Sequence, residues 1–383
     1  MGPAQGLPGF EGGYPFSLLP FWGVHCLVDF MLAHFAAGPA VDTTIVLDEY
    51  SRGAALPLSS RWKKPVARVH VLEGGLGELA RLVSACGSDH VVLASLSSIS
   101  ILDAGALLAL SESTGDLLAK VSVAQTPVEI YCSGREHLGR LLEGAAARAA
   151  TPRPLRKSLF DAVLHQAIDR IEDLPGDLLF QADLMGYYAS NLWLAVNGAS
   201  RRYHSTVSRL PELADWGSES RIAEKGIVRD SWLAAGVEVE GTVEHSVIFP
   251  NVQIRRGAHV SRSVVLNGNR IGAGAEIHNA LVLPLGSESP RTSANIGERC
   301  SIGARGSTAR NAGFPDQIRD GVAVIGTNAE IPSGFRAEAA SYVAPGVAAS
   351  VLRKMKLLKK GASVFGNRTD LPREGAVTAG APR

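Results

Sequence analysis

Cysteine is scarce in this sequence, and the few cysteines present are not spaced as pairs. The 383 residues include only four, Cys26, Cys86, Cys132 and Cys300, with no CxxC motif among them. Structural zinc sites and disulfide frameworks need paired cysteines. We therefore expect neither, and a reduced, cytoplasmic setting is the simplest interpretation.

An excess of charge of either sign is also lacking. Lys and Arg number 38 and Asp and Glu 37, which gives a formal net charge of +1. Because such a chain has no strong long-range field, we expect neither nucleic acid nor an anionic membrane as a partner. The apolar stretch 18–35 is interrupted by His25, Asp29 and His34, and no basic segment precedes it. We therefore predict no membrane helix and no signal peptide there.

Aromatic residues are few, at 6% of the chain, whereas glycine is abundant, at 41 residues. Glycine suits tight, repeated corners better than a bulky aromatic core. Apolar residues still make up 46%, which is enough to bury a full core, and the length allows two or three domains.

Residues 1–205 combine short apolar runs with stretches of helical periodicity. The segments 44–47 and 90–95 are continuously apolar, which is typical of strands buried in a parallel sheet. Helices are predicted at 77–86, 103–113, 136–149, 160–171 and 184–196. This alternation predicts a shortened α/β domain with a mostly parallel sheet, and the polar segment 206–226 is predicted to be a linker.

From residue 227 onward, aliphatic residues recur with a six-residue period. They are Ile254, Val260, Ile271, Ile277, Leu283, Ile296, Ile302, Ile325, Ile331 and Val343. This period is typical of a left-handed parallel β-helix of hexapeptide repeats, in which each short strand points one aliphatic side chain inward. We predict this all-β fold for 227–383, with loops at 286–295 and 304–321, where the period breaks.

A basic segment, 351–361, follows the last of these repeats. Its basic residues are Arg353, Lys354, Lys356, Lys359 and Lys360. Leu352, Met355 and Leu358 have helical spacing, which predicts a capping helix with these three side chains inward and the basic ones in solvent. A basic tail that binds an anion or a membrane is the alternative.

Four segments resemble one family of sugar-nucleotide enzymes. Residues 20–32 (Pro-Phe-Trp-Gly-Val-His-Cys-Leu-Val-Asp-Phe-Met-Leu) resemble the Pro-Phe-Gly-Gly-Lys-Tyr-Arg-aliphatic-Ile-Asp-Phe-x-Leu run of glucose-1-phosphate adenylyltransferases. Residues 186–192, 241–248 and 324–334 are similar to that family's tyrosine-rich helix and to two of its β-helix coils. The resemblance covers most of the chain. It implies a nucleotidyltransferase-like α/β domain before the β-helix and a place in ADP-glucose and glycogen synthesis.

The same resemblance shows that the parts needed for nucleotidyl transfer are missing. The family's Gly-rich loop with its arginine, which holds a triphosphate, corresponds here to 10–15, where no arginine is present. The two aspartates that bind Mg²⁺ in the family fall on Ser97 and Phe180. We therefore expect no catalytic residue, no metal site and no cofactor, with Mg²⁺ bound only if the site is active. The substrate-pocket positions that remain are Gly23, Asp29, Ser97 and Asp103.

Several functions stay open on these residues. The favoured one is a regulatory or scaffold subunit that assembles with an active adenylyltransferase. A second is an active enzyme with a rearranged site, with Lys120 in place of the family's sugar-phosphate lysine, although Lys120 is predicted on the exposed side of a strand. Its available carboxylates are Asp29, Asp48, Glu73, Asp89 and Asp103, of which Asp103 is predicted to cap a helix. A hexapeptide acyltransferase that uses His245, His259 or His278 as general base, and a stand-alone sugar- or nucleotide-binding sensor, complete the set.

Regulation and assembly are predicted from the same resemblance. The basic run that binds a phosphorylated sugar effector in the family is Val-His-Cys here, so His25 is the only remnant of that site and we expect a weak or absent response. Because the family forms tetramers and a β-helix has exposed edges, we expect a homo- or hetero-oligomer.

Overall fold

The computed structural model describes most of the chain. The described residues are 19, 21, 25–26, 29, 44–47, 68–71, 75–95, 98–148, 163–181, 183–196, 219–285 and 295–366. They form an α/β region up to residue 196 and a β-helix from residue 219. Among these residues, no helix is long and apolar enough to cross a membrane.

The α/β region contains eight strands and four helices within its described residues. The strands are β1 (Thr44–Leu47), β2 (Arg68–Val71), β3 (His90–Ala94), β4 (Ser98–Leu102), β5 (Ala119–Val123), β6 (Thr126–Gly134), β7 (Arg170–Leu174) and β8 (Gly176–Gln181). The helices are α1 (Gly75–Ser84), α2 (Ala104–Thr114), α3 (Arg135–Arg148) and α4 (Leu184–Val196). The main sheet has the order β3-β6-β5-β7, while β1 pairs with β2 and β4 with β8.

The predicted α/β class is confirmed, but the described sheets are mixed and not mostly parallel. The β1–β2 and β5–β7 pairs are parallel, whereas β3–β6, β5–β6 and β4–β8 are antiparallel. The cause at β5–β6 is a two-residue turn, Ala124-Gln125, in which both residues have positive φ (48° and 63°). Such a turn joins adjacent antiparallel strands, so no helix separates β5 from β6.

The helix predicted at 160–171 is wrong from residue 165 onward. Val163 and Leu164 are helical, but the chain then turns at 165–167, becomes extended and enters β7. Asp169 holds this extended course, because its N–H donates to the carbonyl of Leu118 (3.0 Å) and its carboxylate accepts from the N–H of Leu118 (2.8 Å). Pairing with β5 therefore outweighs helix propensity here.

The main sheet has an apolar cluster on each face. One cluster joins α1 and α3 to the sheet through residues such as Leu79, Leu138 and Tyr131. The other packs Leu107 and Leu110 of α2 against Val121 and neighbouring residues. Burial of both faces by helices is what an α/β architecture requires.

The β-helix consists of three parallel sheets. The first sheet contains β10 (Ile227–Arg229), β13 (Thr242–Glu244), β16 (His259–Ser261), β19 (Glu276–His278), β21 (Ser301–Ile302), β23 (Arg336–Ala337) and β25 (Leu357–Leu358). The second contains β11 (Trp232–Leu233), β14 (Val247–Ile248), β17 (Val264–Val265), β20 (Ala280–Val282), β22 (Ala323–Ile325), β24 (Tyr342–Val343) and β26 (Ser363–Val364). The third contains β9 (Arg221–Ile222), β12 (Glu238–Val239), β15 (Gln253–Ile254) and β18 (Arg270–Ile271), and bridges at Ile296 and Ile331 extend it.

The predicted left-handed β-helix is confirmed, and all ten residues of the six-residue period are buried, at 2% exposure or less. One of them, Leu283, does not point inward. In this coil the step from the first sheet to the second takes five residues, from Ile277 to Val282, and Val282 is in register with Ile325. Because side chains alternate along a strand, Leu283 faces outward from the second sheet.

The five-residue step occurs in the first four coils, at a corner where each has a left-handed backbone residue. These residues are Asp230, His245, Arg262 and Asn279, with φ between 43° and 51°. Asp, His and Asn are the non-glycine residues that adopt this conformation most readily.

A ladder of serines satisfies the backbone at the same corner. The N–H of Ser246 donates to Ser231 Oγ (3.0 Å), that of Ser263 to Ser246 Oγ (3.1 Å), and that of Ala280 to Ser263 Oγ (3.1 Å). Each buried turn therefore keeps its hydrogen bonds.

The long segment between β21 and β22 leaves the coil, as predicted for 304–321. It returns to the surface of the last coils through the buried Asn311, whose side-chain amide donates to the carbonyl of Ala340 (2.9 Å). The other predicted loop lies largely outside the described residues.

The predicted capping helix at 351–361 is wrong in extent. A four-residue helix, α5 (Ala349–Leu352), is followed by β25 and β26, so the basic segment forms part of a further coil. Leu352 and Leu358 are buried as predicted, and Met355 is half-buried. The first coil strand, β9, likewise begins within the segment predicted as a linker.

Helix α4 fixes the α/β region onto the second sheet. It contacts β8 as well as β14 and β17. Its residues Leu184, Met185 and Tyr188 share one apolar cluster with the β-helix interior and with Phe21. The hydroxyl of Tyr188 donates to the carbonyl of Arg262 and lies 3.0 Å from Asn279 Oδ1. Arg319 also pairs with Asp183, just before α4 (3.1 Å).

Candidate functional site

The two positions predicted to correspond to metal-binding aspartates of the resembling family map to one end of the β4–β8 pair. Phe180 of β8 is in register with Ile99 of β4, and the next residue, Gln181, is in register with Ser98. Ser97 itself lies outside the described residues, but it directly precedes Ser98 in the sequence. The strand pairing therefore brings the two stretches of chain together, and neither stretch supplies an acid at the matched position.

Asp103 lies beyond the opposite end of β4, as a helix cap. Its carboxylate accepts a hydrogen bond from the N–H of Ala106 (2.7 Å) at the start of α2. The predicted capping role is confirmed. Phe180 is in register with Ile99, and at about 3.3 Å per residue the four residues from Ile99 place Asp103 roughly 13 Å along the strand, too far for the two positions to share a ligand.

Asp29 is a buried structural carboxylate. It is completely buried, and its Oδ2 accepts hydrogen bonds from the N–H of Cys26 (3.0 Å) and from Cys26 Sγ (3.2 Å). His25, which directly precedes Cys26, is half-buried. Gly23, the remaining pocket position, lies outside the described residues. Asp29 therefore stabilises its own turn.

The described residues do not fit the Mg²⁺ ion that the resembling family uses. Mg²⁺ needs converging oxygen ligands, and within the described ranges no group of three or more His, Cys, Asp or Glu residues is placed to hold a metal. Of the other candidate carboxylates, Asp48 and Glu73 lie outside those ranges, and Asp89 is exposed, 3.5 Å from Arg135. The described carboxylates therefore do not converge on a site where Mg²⁺ could assist nucleotidyl transfer.

Lys120 lies on β5 among aromatic side chains. It is half-buried, its Nζ is 3.4 Å from His165 Nε2, and it stands 5.5 Å from the ring centroid of Tyr131. Contact with the imidazole nitrogen and the ring face gives the ammonium two neighbours within its own domain. Lys120 is the only residue of β5 that is not buried, in agreement with its predicted place on the exposed side of a strand, although Tyr131 and His165 cover part of the side chain.

Two of the three β-helix histidines meet on the first sheet. The rings of His259 and His278 are 5.1 Å apart and perpendicular. His259 Nε2 is 3.1 Å from Glu244 Oε2, and His278 Nδ1 is 2.6 Å from Ser261 Oγ. The third, His245, is exposed at a corner, with its Nε2 3.6 Å from Asp230.

The electrostatics of this histidine pair follow from its neighbours. The hydrogen bond from His259 lowers the pKa of Glu244, and Arg229 adds to the effect. Partial burial lowers the pKa of His278, helped by the charges of Arg305 and His259. A neutral His278 can accept the Ser261 proton, but Ser261 is buried (7% exposed), so a substrate has poor access to its hydroxyl.

The sequence did not point to a groove on the same sheet, which includes Ser301, Arg336 and Lys360 in its lining. These residues come from three coils, and a long loop separates the first from the second. The only signal was the basic segment that contains Lys360, for which anion binding was the less favoured interpretation.

Comparison with protein families gives one match to the β-helix. Residues 218–304 match the C-terminal hexapeptide domain of GlmU-like proteins. The matched range runs from just before β9 to just beyond β21, and so covers the first four coils and the part of the fifth that precedes the loop.

Curated glucose-1-phosphate adenylyltransferases are also similar to parts of the chain. The protein of Acetivibrio thermocellus is 26% identical over 118 residues, which are 30% of this chain and 24% of the relative. Those of Bacillus thuringiensis (strain Al Hakam) and Bacillus cereus (strain Q1) are 43% identical over 61 residues, 16% of either chain. The chain thus spans a quarter or less of the relatives it matches. It is homologous in part to glucose-1-phosphate adenylyltransferases and carries a GlmU-like hexapeptide domain.

Proposed function

We propose that this chain is a catalytically degenerate relative of glucose-1-phosphate adenylyltransferase that serves as a regulatory or scaffold subunit in ADP-glucose and glycogen synthesis. Its partner is an active adenylyltransferase subunit, with which it forms a hetero-oligomer. The partial similarity to curated adenylyltransferases supports the family, and the chemistry of the matched positions supports the loss of turnover.

The observation that carries this proposal is the register of β4 and β8. It juxtaposes the chain segments that hold the family's metal carboxylates, and the matched residue on β8 is Phe180. Metal ions neutralise the charge that develops on transferred phosphates, and the loss of such stabilisation typically costs several kcal/mol of barrier. A phenyl ring cannot replace a carboxylate in that role.

The two carboxylates retained at family positions have structural partners. Asp29 accepts hydrogen bonds from Cys26, and Asp103 from the first turn of α2. Because each stabilises a local turn, their retention is explained without substrate binding. What remains of the family architecture is its shape, an α/β lobe that α4 joins to the β-helix.

The test measures turnover and assembly separately. The purified chain is incubated with ATP, Mg²⁺ and glucose 1-phosphate, alone and with an active adenylyltransferase from the same organism, and pyrophosphate release is followed. We expect no release from the chain alone. With the partner we expect co-elution in size-exclusion chromatography and a change of at least a few-fold in the partner's kcat or apparent KM.

Asp103→Asn is the matched control, because Asn retains the cap but removes the negative charge. It should leave co-elution and the effect on the partner unchanged. Pyrophosphate release by the chain alone, lost in Asp103→Asn, would instead establish an active enzyme with a rearranged site. If the chain neither releases pyrophosphate nor affects the partner, the subunit role is refuted and the sensor function remains. Binding of acetyl-CoA that is lost in His259→Gln would favour the acyltransferase.

A further inference from the structure

A groove of about 370 Å³ opens on the first sheet, near its C-terminal end. Its lining includes Ser301, Gly303, Ser307, Arg336, Glu338 and Lys360. The groove lies on the first sheet, whereas α4 contacts β14 and β17 of the second sheet. It is therefore separate from the apolar cluster that contains Phe21 and residues of α4. None of its residues has a part in the function proposed above.

The groove carries unpaired positive charge. Arg336 and Lys360 are both exposed, and neither side chain forms an ion pair or a hydrogen bond with any described residue. The one carboxylate, Glu338, accepts a hydrogen bond from the backbone N–H of Lys360 (2.9 Å). Hydroxyls of Ser301 and Ser307 lie along the same lining. A guanidinium, an ammonium and two hydroxyls form a donor set suited to an oxyanion.

The β-helix fixes the backbone positions of the residues in this donor set. Arg336 of β23 is directly in register with Ser301 of β21, and both flank inward-facing residues. At Gly303 the backbone has φ of 75°, and an added Cβ would lie 1.9 Å from the carbonyl oxygen of His278. Only glycine fits there, and this sharp turn leads the chain into the segment that contains Ser307. Register and turn geometry therefore fix the backbone from which the side chains of the groove extend.

We infer that this groove binds a phosphate group, with the guanidinium of Arg336 donating to two phosphate oxygens and Lys360 supplying the second positive charge. Arg presents a planar fork that matches phosphate, while Lys acts as a compact charge. The volume falls in the range of small-molecule sites and exceeds what one phosphate fills. A phosphate monoester of a small molecule is therefore the ligand class, since its organic part occupies the remaining space.

The test is isothermal titration calorimetry on the full chain at constant ionic strength, with inorganic phosphate and glycerol 3-phosphate as separate probes. We expect saturable 1:1 binding of the monoester. Arg336→Gln and Lys360→Gln should each weaken it at least tenfold, and Glu338→Gln should strengthen it a few-fold by removing a repelling charge. Lys354→Gln, which removes an exposed lysine outside the lining, should change the affinity less than twofold.

Three outcomes overturn the inference, and a fourth changes only the source of the phosphate. No saturable binding of either probe up to about 10 mM would exclude a site of useful affinity. Equal weakening by Lys354→Gln and Arg336→Gln would mean a diffuse surface-charge effect. Binding unchanged in Arg336→Gln and Lys360→Gln would place the ligand elsewhere. If inorganic phosphate binds as tightly as the monoester, the phosphate site stands and free phosphate is its source. Thermal unfolding of each variant shows that it is folded, and no adenylyl transfer enters the readout.

Discussion

The first and second sheets of the β-helix share one coil geometry but present opposite outer surfaces. Along the second sheet, the outward residues Val247, Val264, Leu281 and Val324 are apolar and at most 2% exposed. Along the first, the outward residues at one register position are polar in the five middle coils, although the terminal coils place the exposed Ile227 and Leu357 there. The polar residues are Thr242, His259, Glu276, Ser301 and Arg336. Both sheets bury aliphatic side chains on their inner face. The outward side chains therefore indicate which outer face is covered by the rest of the molecule.

This difference explains where the α/β region sits and where a ligand can reach. Helix α4 covers the second outer surface at β14 and β17, and its Tyr188 extends to the corner between the two sheets. The first outer surface remains open and holds both the histidine pair and the groove. Covered apolar faces and open polar faces are the ordinary division between packing and binding surfaces.

The comparison is tested most strongly by truncating one outward residue of each sheet in the same coil. Leu281→Ala should lower the free energy of unfolding by about 2–4 kcal/mol, because it leaves a cavity under the covering elements. Glu276→Ala, five residues earlier and exposed, should change it by about 0.5 kcal/mol or less. Urea unfolding followed by circular dichroism gives both values. Similar losses in the two variants would contradict the assignment of one covered and one open face.

The inward-facing aliphatic residues of the β-helix were predictable because their six-residue spacing repeats. Each coil needs an aliphatic residue at every sheet, so Ile254 and Val343, far apart in sequence, obey one rule. Helices α2, α3 and α4 were also predicted within one residue at each end. What the period could not reveal is the five-residue step at the left-handed corner, which turned Leu283 outward.

The candidate sites were harder to predict because they depend on register. Nothing local in the sequence shows that Phe180 faces Ile99, and Phe180 was identified only through the family resemblance. The groove joins Ser301, Arg336 and Lys360 from three coils of unequal length, with a loop of 20 residues between β21 and β22. The turn at Ala124-Gln125 likewise carries none of the glycine or asparagine that usually marks such hairpins.

A substitution at the corner between the two sheets should have an intermediate effect on the free energy of unfolding. Tyr188→Phe removes the donor to the Arg262 carbonyl while keeping the ring, so unfolding free energy should fall by about 1–2 kcal/mol. Burial raises the pKa of Tyr188, so the hydroxyl stays protonated as a donor over the usable pH range. Hydrogen exchange should become faster in α4, the element that this hydroxyl fixes to the β-helix.

A double-mutant cycle checks that the effect of Tyr188 passes through the corner. Asn279→Gly keeps the left-handed backbone (φ 51°) and removes the side chain 3.0 Å from the hydroxyl. In that background Tyr188→Phe should cost less, with a coupling of about 0.5 kcal/mol or more. Strict additivity of the two changes would show that the hydroxyl does not act through Asn279.

The smallest effect concerns the open face and depends on pH. The pKa of His278 is lowered in the folded chain, so between the folded and the unfolded pKa the unfolded state binds more protons. Stability should therefore be fully present above about pH 6.5 and decline as the pH falls below that value. The change is on the order of a few tenths of a kcal/mol, since solvent screens a half-exposed ring. His278→Asn should flatten the dependence between pH 7.5 and 5.5 in thermal unfolding. Glu276→Gln should steepen it, because the Glu276 carboxylate opposes the lowering, and a slope unchanged in both variants would assign the pH response to other groups.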